Sequence, residues 1–217
     1  GTGLTEKIAR RLEREVAVAY NIGSNHAGYY PGAQALFLKL VYDPEDGRLL
    51  GAQAAGPDGV DKRLDILATA IYGGLTIEDL EQLDLCYAPP FGSAKDVVIL
   101  TGMAAANTLR GTSPSITPAA LFEEQRGENP PFLLDVRTAF EFKMGYLMDA
   151  VNIPLETLRE RLDEIPRDRP LVTQCNVGYR SYVAQQLLRN KGYSDVRNIL
   201  GGYDLLSSVV KLRNRGQ

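Results

Sequence analysis

The sequence predicts two domains in series: an α+β domain built on an antiparallel sheet with helices, followed by an α/β domain with a mainly parallel open sheet. Three observations carry this expectation. Residues up to Leu109 place strand-like segments first and helical ones afterwards, whereas residues from Pro118 onward alternate helix and strand. Between them "RGTSPSITP" (110–118) gathers Gly, Ser, Thr and two prolines and interrupts both periodicities. The first half is net acidic and the second close to neutral. The first domain is therefore placed at 1–110, a linker at 111–118 and the second domain at 119–217. Neither half contains an internal repeat.

In the first domain "ALFLKLVYD" (35–43) is rich in β-formers, "PEDGR" has turn chemistry, and "LLGAQAAG" (49–56) returns as a second strand, which predicts an antiparallel hairpin. In "GVDKRLDILATAI", Val60, Leu64, Leu67 and Ile71 recur at helical spacing and make one apolar face, with Asp61, Lys62, Arg63 and Asp65 off it. "TIEDLEQLDL" and "KDVVILTGMAAANTL" read as two further helices, separated by the proline-interrupted "YAPPFG". The second domain reads helix "PAALFEEQ", strand "FLLDV", helix "TAFEFK", strand "AVNI", helix "LETLRERLDEI", strand "LVTQ", helix "SYVAQQLLRNKG", strand "DVRNI" and helix "YDLLSSVVKL". Several of these strands are nearly continuous apolar runs, the pattern of a parallel sheet covered on both faces.

Composition bounds the chemistry. A chain of 217 residues, 44% hydrophobic, can bury a substantial core. A net charge of −3 gives no general basic surface, which argues against nucleic acid as a principal partner. The longest apolar run, "VVILTGMAAA" (97–106), is about half of the ~20 residues that a spanning helix needs, so no membrane segment is expected. Charges in "GTGLTEKIARRLERE" occupy the place of a signal's apolar region, and a cytoplasmic location is expected. Two cysteines, Cys86 and Cys175, exclude a disulfide framework. With a single histidine, His26, a Cys/His zinc site lacks ligands, and no metal is expected.

Cys175 follows the strand "LVTQ" and precedes a helix, the position where reactive groups gather in open parallel sheets. A loop entering a helix N-terminus offers backbone N–H donors and a partial positive charge, both favourable to a thiolate. Asn176, Val177, Gly178, Tyr179 and Arg180 complete that loop: Gly178 permits a tight turn and Arg180 adds a fixed charge. Buried packing is the competing reading for a lone cysteine, but the loop residues after it do not continue the apolar run. Cys86 follows an apolar helix end and reads as packing, and His26 reads as a surface loop residue. Four residues separate Cys175 from Arg180. The cysteine phosphatase family pattern has five, and removing one contracts the anion cradle and takes away an amide, which suits a single outer sulfur better than a tetrahedral phosphoryl group and leaves a cysteine phosphatase as the lesser alternative.

"CNVGYRS" resembles the active loop of rhodaneses, and "FLLDVRTAFEF", "AVNIPL" and "VRNILGGYDLL" are similar to further rhodanese segments in the same order. The resemblance implies that Cys175 carries a sulfane sulfur as a persulfide, with Arg180 and the loop amides around it and Asp135 organising the adjacent loops. It departs from the family at Gly145-Tyr146-Leu147, where Gly-His-Ile is usual, and at Leu206, where an aromatic is common.

The first half, through "YYPGA", "LKLVYDPEDGRLLGAQAAGPDGVDKRLDILATAI" and "DLEQLDLCYAPPFGSAKDVVI", resembles the dimerisation domain of flavoprotein disulfide reductases, in the branch of coenzyme A disulfide reductases and NADH oxidases. The two resemblances together imply the carboxyl-terminal portion of an oxidoreductase that reduces coenzyme A disulfide, persulfide or polysulfide with FAD and NAD(P)H. They imply a homodimer through the first domain, and coenzyme A or small thiols and sulfane sulfur donors as partners. Tyr87 and either Tyr29 or Tyr30 are implied to place hydroxyls near the reacting sulfur, and Lys62 and Arg63 to meet coenzyme A phosphates. This chain lacks a G-x-G-x-x-G strand-to-helix turn, so it is expected to bind no flavin or NAD(P)H by itself. A non-catalytic rhodanese-like binding or regulatory module remains the alternative.

Overall fold

The computed structural model describes residues 1–215. It separates into two compact units that meet between Thr112 and Ser113. The first contains β1 (Thr2–Gly3), α1 (Glu6–Arg11), β2 (Ala17–Ser24), β3 (Ala35–Tyr42), β4 (Leu49–Ala55), α2 (Val60–Tyr72), α3 (Ile77–Glu81) and α4 (Val97–Leu109). Its sheet has the order β1-β4-β3-β2 with every pair antiparallel. The β3–β4 hairpin forms as expected. Leu36, Leu38 and Leu40 alternate inward from β3 and pack with Leu49, Ala52, Leu67, Leu80, Val97 and Val98.

Five features of this unit differ from the sequence expectation. Strand β2 was not anticipated, because Ala, Asn, Gly and Ser dilute its β-forming character; it pairs with β3 over its whole length at the sheet edge. Helix α3 stops at Glu81 instead of continuing through "EQLDL". Leu83 and Leu85 both turn to the core, and a two-residue spacing is incompatible with one helix face.

The third difference is Arg63, expected on the polar side of α2 but only 1% exposed. Its guanidinium donates to both carboxylate oxygens of Asp96, to the Asn25 carbonyl at 2.6 Å and to the Gly59 carbonyl at 3.2 Å. Asp96 in turn caps α4 by accepting from Val98 N. A helical-wheel reading assigns Arg63 to solvent, whereas the chain around Asn25 and the start of α4 cover that position. His26 is likewise buried, with Nδ1 3.1 Å from the Ala27 carbonyl and its ring edge-on to Tyr30. Cys86, expected to pack, is exposed.

The second unit contains β5 (Ser115–Ile116), α5 (Pro118–Glu124), β6 (Phe132–Asp135), α6 (Ala139–Lys143), β7 (Val151–Asn152), β8 (Leu171–Gln174), α7 (Tyr179–Asn190), β9 (Val196–Ile199) and α8 (Gly202–Arg215). Its sheet order is β5-β9-β8-β6-β7, all parallel. Adjacent residues serve opposite faces. Leu134 and Leu171 join one core with Ile153, Leu158, Leu188 and Val196, while Leu133 and Val172 join another with Ile116, Leu121, Ile199 and Leu206. Strand β8 is central and buried throughout.

Two expectations are corrected here. Ser115–Ile116, read as linker, forms edge strand β5 against β9, because Ile116 has an apolar site to fill in the core. The predicted helix "LETLRERLDEI" is instead two short 3₁₀ turns, Leu158–Glu160 and Leu162–Glu164. Leu155, Leu158, Leu162 and Ile165 still reach the core. The segment lies between Pro154 and Pro166 and Thr157 supplies no side-chain cap, so an α-helical nucleus has little support.

Removing one partner of the buried Arg63–Asp96 pair strands the other charge. Arg63→Met in the full chain should lower the unfolding free energy of the first unit by roughly 3 kcal/mol, measured by chemical denaturation followed by circular dichroism.

Candidate active site

Cys175 sits at the carboxyl end of β8, the centre of the parallel sheet, and is 1% exposed. Its sulfur accepts a hydrogen bond from Gly178 N at 3.2 Å, and Ser181 Oγ lies 3.4 Å away with its one proton divided between the sulfur and the Gly178 carbonyl at 3.0 Å. Gly178 precedes α7 with φ +119°, a backbone angle that L side chains rarely adopt, and this turns its amide back to the sulfur. Tyr179 and Arg180 belong to the first turn of α7 rather than to the loop proper.

The loop carbonyls face the other way. Cys175 O accepts from Tyr203 N at 2.8 Å and Asn176 O from Asp204 N at 3.1 Å, both N–H groups lying in the first turn of α8. This approach requires Gly202. A Cβ there would stand 2.4 Å from Asn176 O and 2.5 Å from Cys175 O. The glycine pair thus lets one helix end satisfy the back of the loop while the other helix end serves its front.

Asp135, at the end of β6, is fully buried. Its carboxylate accepts from Arg137 N, Nε and Nη2 and from Gln174 Nε2 at 2.8 Å. Arg137 also donates to the Gly145 carbonyl and lies 3.9 Å over the Tyr203 ring. Asn152 of β7 donates to the Asp135 and Arg137 carbonyls. A continuous circuit runs from Cys175 through Gln174, Asp135, Arg137 and Tyr203 back to the Cys175 carbonyl.

Arg180 does not present a free charge. Its Nη1 and Nη2 donate to the two carboxylate oxygens of Glu141 at 2.7 and 2.6 Å. Glu141 also closes a capping box on α6, accepting from Thr138 N at 2.9 Å and Thr138 Oγ1 at 2.8 Å. The Arg180 hydrogen bonds hold the Glu141 carboxyl at about 2, against an ordinary value of 4.5, with Thr138 assisting and burial opposing. The same pair raises Arg180, with smaller contributions from the Cys175 sulfur. Glu141, Ser181, Gly202 and Tyr203 were not singled out from sequence. The "TAFE" capping pattern was a local signal for Glu141, whereas the other three become visible only when α7 and α8 meet.

In the first unit, Tyr29 and Tyr87 are exposed and their hydroxyls lie 2.9 Å apart, a contact that raises the Tyr29 phenol above its ordinary value. Lys62 Nζ donates to the Phe91 carbonyl of the loop that carries Tyr87, so the structure gathers Tyr29, Tyr87 and Lys62 around one loop. Tyr30 stands beside His26. Arg63, expected to meet a phosphate, is removed from this group by its burial against Asp96.

An antiparallel-sheet domain joined to a parallel-sheet domain with a cysteine loop at its central strand defines the class. Residues 1–97 match the family model of the pyridine nucleotide-disulphide oxidoreductase dimerisation domain, and residues 118–208 match that of the rhodanese-like domain. It is similar to the crystal structure of reduced Bacillus anthracis CoADR-RHD, with 42% identity and a TM-score of 0.92, covering 98% of this chain and 38% of that one. It is also similar to a NAD-dependent persulfide reductase from A. fulgidus, with 38% identity and a TM-score of 0.82, covering 93% and 36%. The coenzyme A disulfide reductase of Staphylococcus haemolyticus is 44% identical over 85 residues, which are 39% of this chain and 19% of that protein. The chain therefore spans well under half the length of each of these relatives.

Two outcomes test the site. Gly202→Ala should push α8 away from the loop, slowing Cys175 alkylation at least several-fold relative to wild type under native conditions. A rate unchanged within error in a folded variant contradicts the close-approach argument. The Glu141 carboxyl, depressed on folding, stabilises the domain above its unfolded value of 4.5, and this contribution is lost as pH falls toward about 2. Melting temperature should therefore depend less on pH across that window in Glu141→Gln than in wild type.

Proposed function

We propose that this chain is the carboxyl-terminal portion of an FAD- and NAD(P)H-dependent reductase of coenzyme A disulfide, persulfide or polysulfide, and that Cys175 carries the sulfane sulfur as a persulfide. The observation that carries the reading is the Cys175 sulfur itself. At the end of β8 it accepts from one loop amide and has a hydroxyl 3.4 Å away, inside a turn with four residues between it and Arg180. Donors fixed before reaction favour a developing sulfur anion without reorganisation. The thiolate attacks the outer sulfur of a donor and the donor's remaining fragment leaves. A second thiolate then takes the outer sulfur from Cys175.

FAD and NAD(P)H do not fit the residues present. The described strand-to-helix turns include no glycine-rich dinucleotide fingerprint, and the tight turn after β8 holds a cysteine. Those groups are assigned to the remainder of a longer protein, and no step here runs through them. Coenzyme A or another small thiol is the proposed partner of the first domain. Tyr29, Tyr30 and Tyr87 offer hydroxyls and Lys62 a cation, while Arg63 acts from the interior by fixing the Asn25 segment. A homodimer through residues 1–97 is proposed from the domain family, and a cytoplasmic location from the two free thiols.

Mass spectrometry of the full chain after treatment with polysulfide should show a gain of one sulfur on Cys175, with none at that position in Cys175→Ser. Absence of the adduct with several sulfane donors, while the thiol remains alkylatable, refutes the carrier role and leaves the binding-module reading.

A further inference from the structure

We propose that Glu141 selects the sulfur donor: by neutralising Arg180 beside the Cys175 loop, it makes the site favour alkyl persulfides whose chain is uncharged near the sulfur and discriminate against the thiosulfate dianion. This deepens the carrier reading of Cys175 and rests on it.

A dianion entering a partly buried loop needs cations to replace its water. The elements around Cys175 bring two guanidinium groups toward it, and each already holds a carboxylate: Arg137 is bound to Asp135 and Arg180 to Glu141. Asp204, whose N–H bonds the Asn176 carbonyl, adds a further acidic group on the α8 side. Glu141 is not free to swing aside. Both of its oxygens hold Arg180, and one is also tied to Thr138 N and Oγ1, so moving Glu141 off the arginine means opening the first turn of α6.

A second observation points to the favoured donor. Phe140 and Tyr179, the residues immediately before Glu141 and Arg180, are 74% and 75% exposed. Each is a large exposed aromatic residue in the same helical turn as one member of the ion pair, and an aromatic side chain offers apolar surface to an alkyl chain but no charge to compensate a sulfonate-like head. The chemistry is the same for both donors. The Cys175 thiolate forms a bond to the donor's outer sulfur as that sulfur's existing bond breaks. The bonding pair departs with the alkanethiolate in one case and with sulfite in the other, so discrimination lies in binding and approach.

The test uses the full chain, with pantetheine persulfide and thiosulfate as donors, and reads the rate at which Cys175 gains one sulfur. Wild type should favour pantetheine persulfide. Glu141→Gln, which keeps an acceptor for Thr138 while freeing the Arg180 charge, should raise the thiosulfate rate roughly tenfold or more and change the persulfide rate by less than about threefold. The gain should shrink as ionic strength rises, because the freed charge is partly exposed. In the double variant Glu141→Gln/Arg180→Gln the gain should disappear. Its persistence would mean that loosening of the loop, not charge, is responsible, and would overturn the proposal. An unchanged donor ratio in a cooperatively folded Glu141→Gln overturns it equally, and in that case loading of Cys175 by both donors still supports the carrier reading. Failure of both donors to load wild-type Cys175 removes the carrier reading and this inference together.

Discussion

The cysteine loop depends on a carboxylate that never touches it. Asp135 is fully buried and bound by Arg137 and Gln174, and a charge in that position is stable only while its partners keep their places. Gln174 is the residue before Cys175, and Tyr203, whose N–H holds the Cys175 carbonyl, lies under the Arg137 guanidinium. The charge pair therefore fixes the entry to the loop and its backing helix at once. Strands β6 and β8 meet at this point, and neither can shift without breaking a hydrogen bond to a buried charge.

The loop uses its backbone economically. Its amide at Gly178 serves the sulfur, and its carbonyls at Cys175 and Asn176 serve the start of α8. Opposite polarities of one short segment are thereby satisfied by opposite sides. The same logic governs the first unit, where Arg63 satisfies carbonyls of Asn25 and Gly59 together with the cap of α4. In both units a guanidinium anchors irregular chain beside the residues of interest, because irregular chain has no ladder of its own to satisfy its polar groups.

Much of this arrangement was legible in the sequence, and what was not has physical reasons. The interruption of an apolar run at Cys175 marked the loop, and the β/α alternation placed it at a strand end. Local signals also marked the hairpin, since Leu36, Leu38 and Leu40 alternate and a turn follows. Arg63 was misplaced because helical periodicity describes one helix and not what covers it. The segment 155–165 kept its apolar spacing but not its helix, since 3₁₀ turns meet the same contacts. The Glu141–Arg180 pair joins residues 39 apart in sequence. Each partner had a local explanation, a capping box and a loop cation, and nothing in the sequence order indicated that one cancels the other.

The depth of the thiol gives the site a protective asymmetry. At 1% exposure Cys175 is screened from bulk oxidants that would carry a sulfur irreversibly to its higher acids. Adding one sulfur lengthens the side chain by a bond of about 2 Å. The atom to be handed onward is then the outermost one, and the sulfur bonded to the protein stays behind it. In the proposed persulfide, cargo and carrier lie at different depths, so the first can leave while the second stays screened.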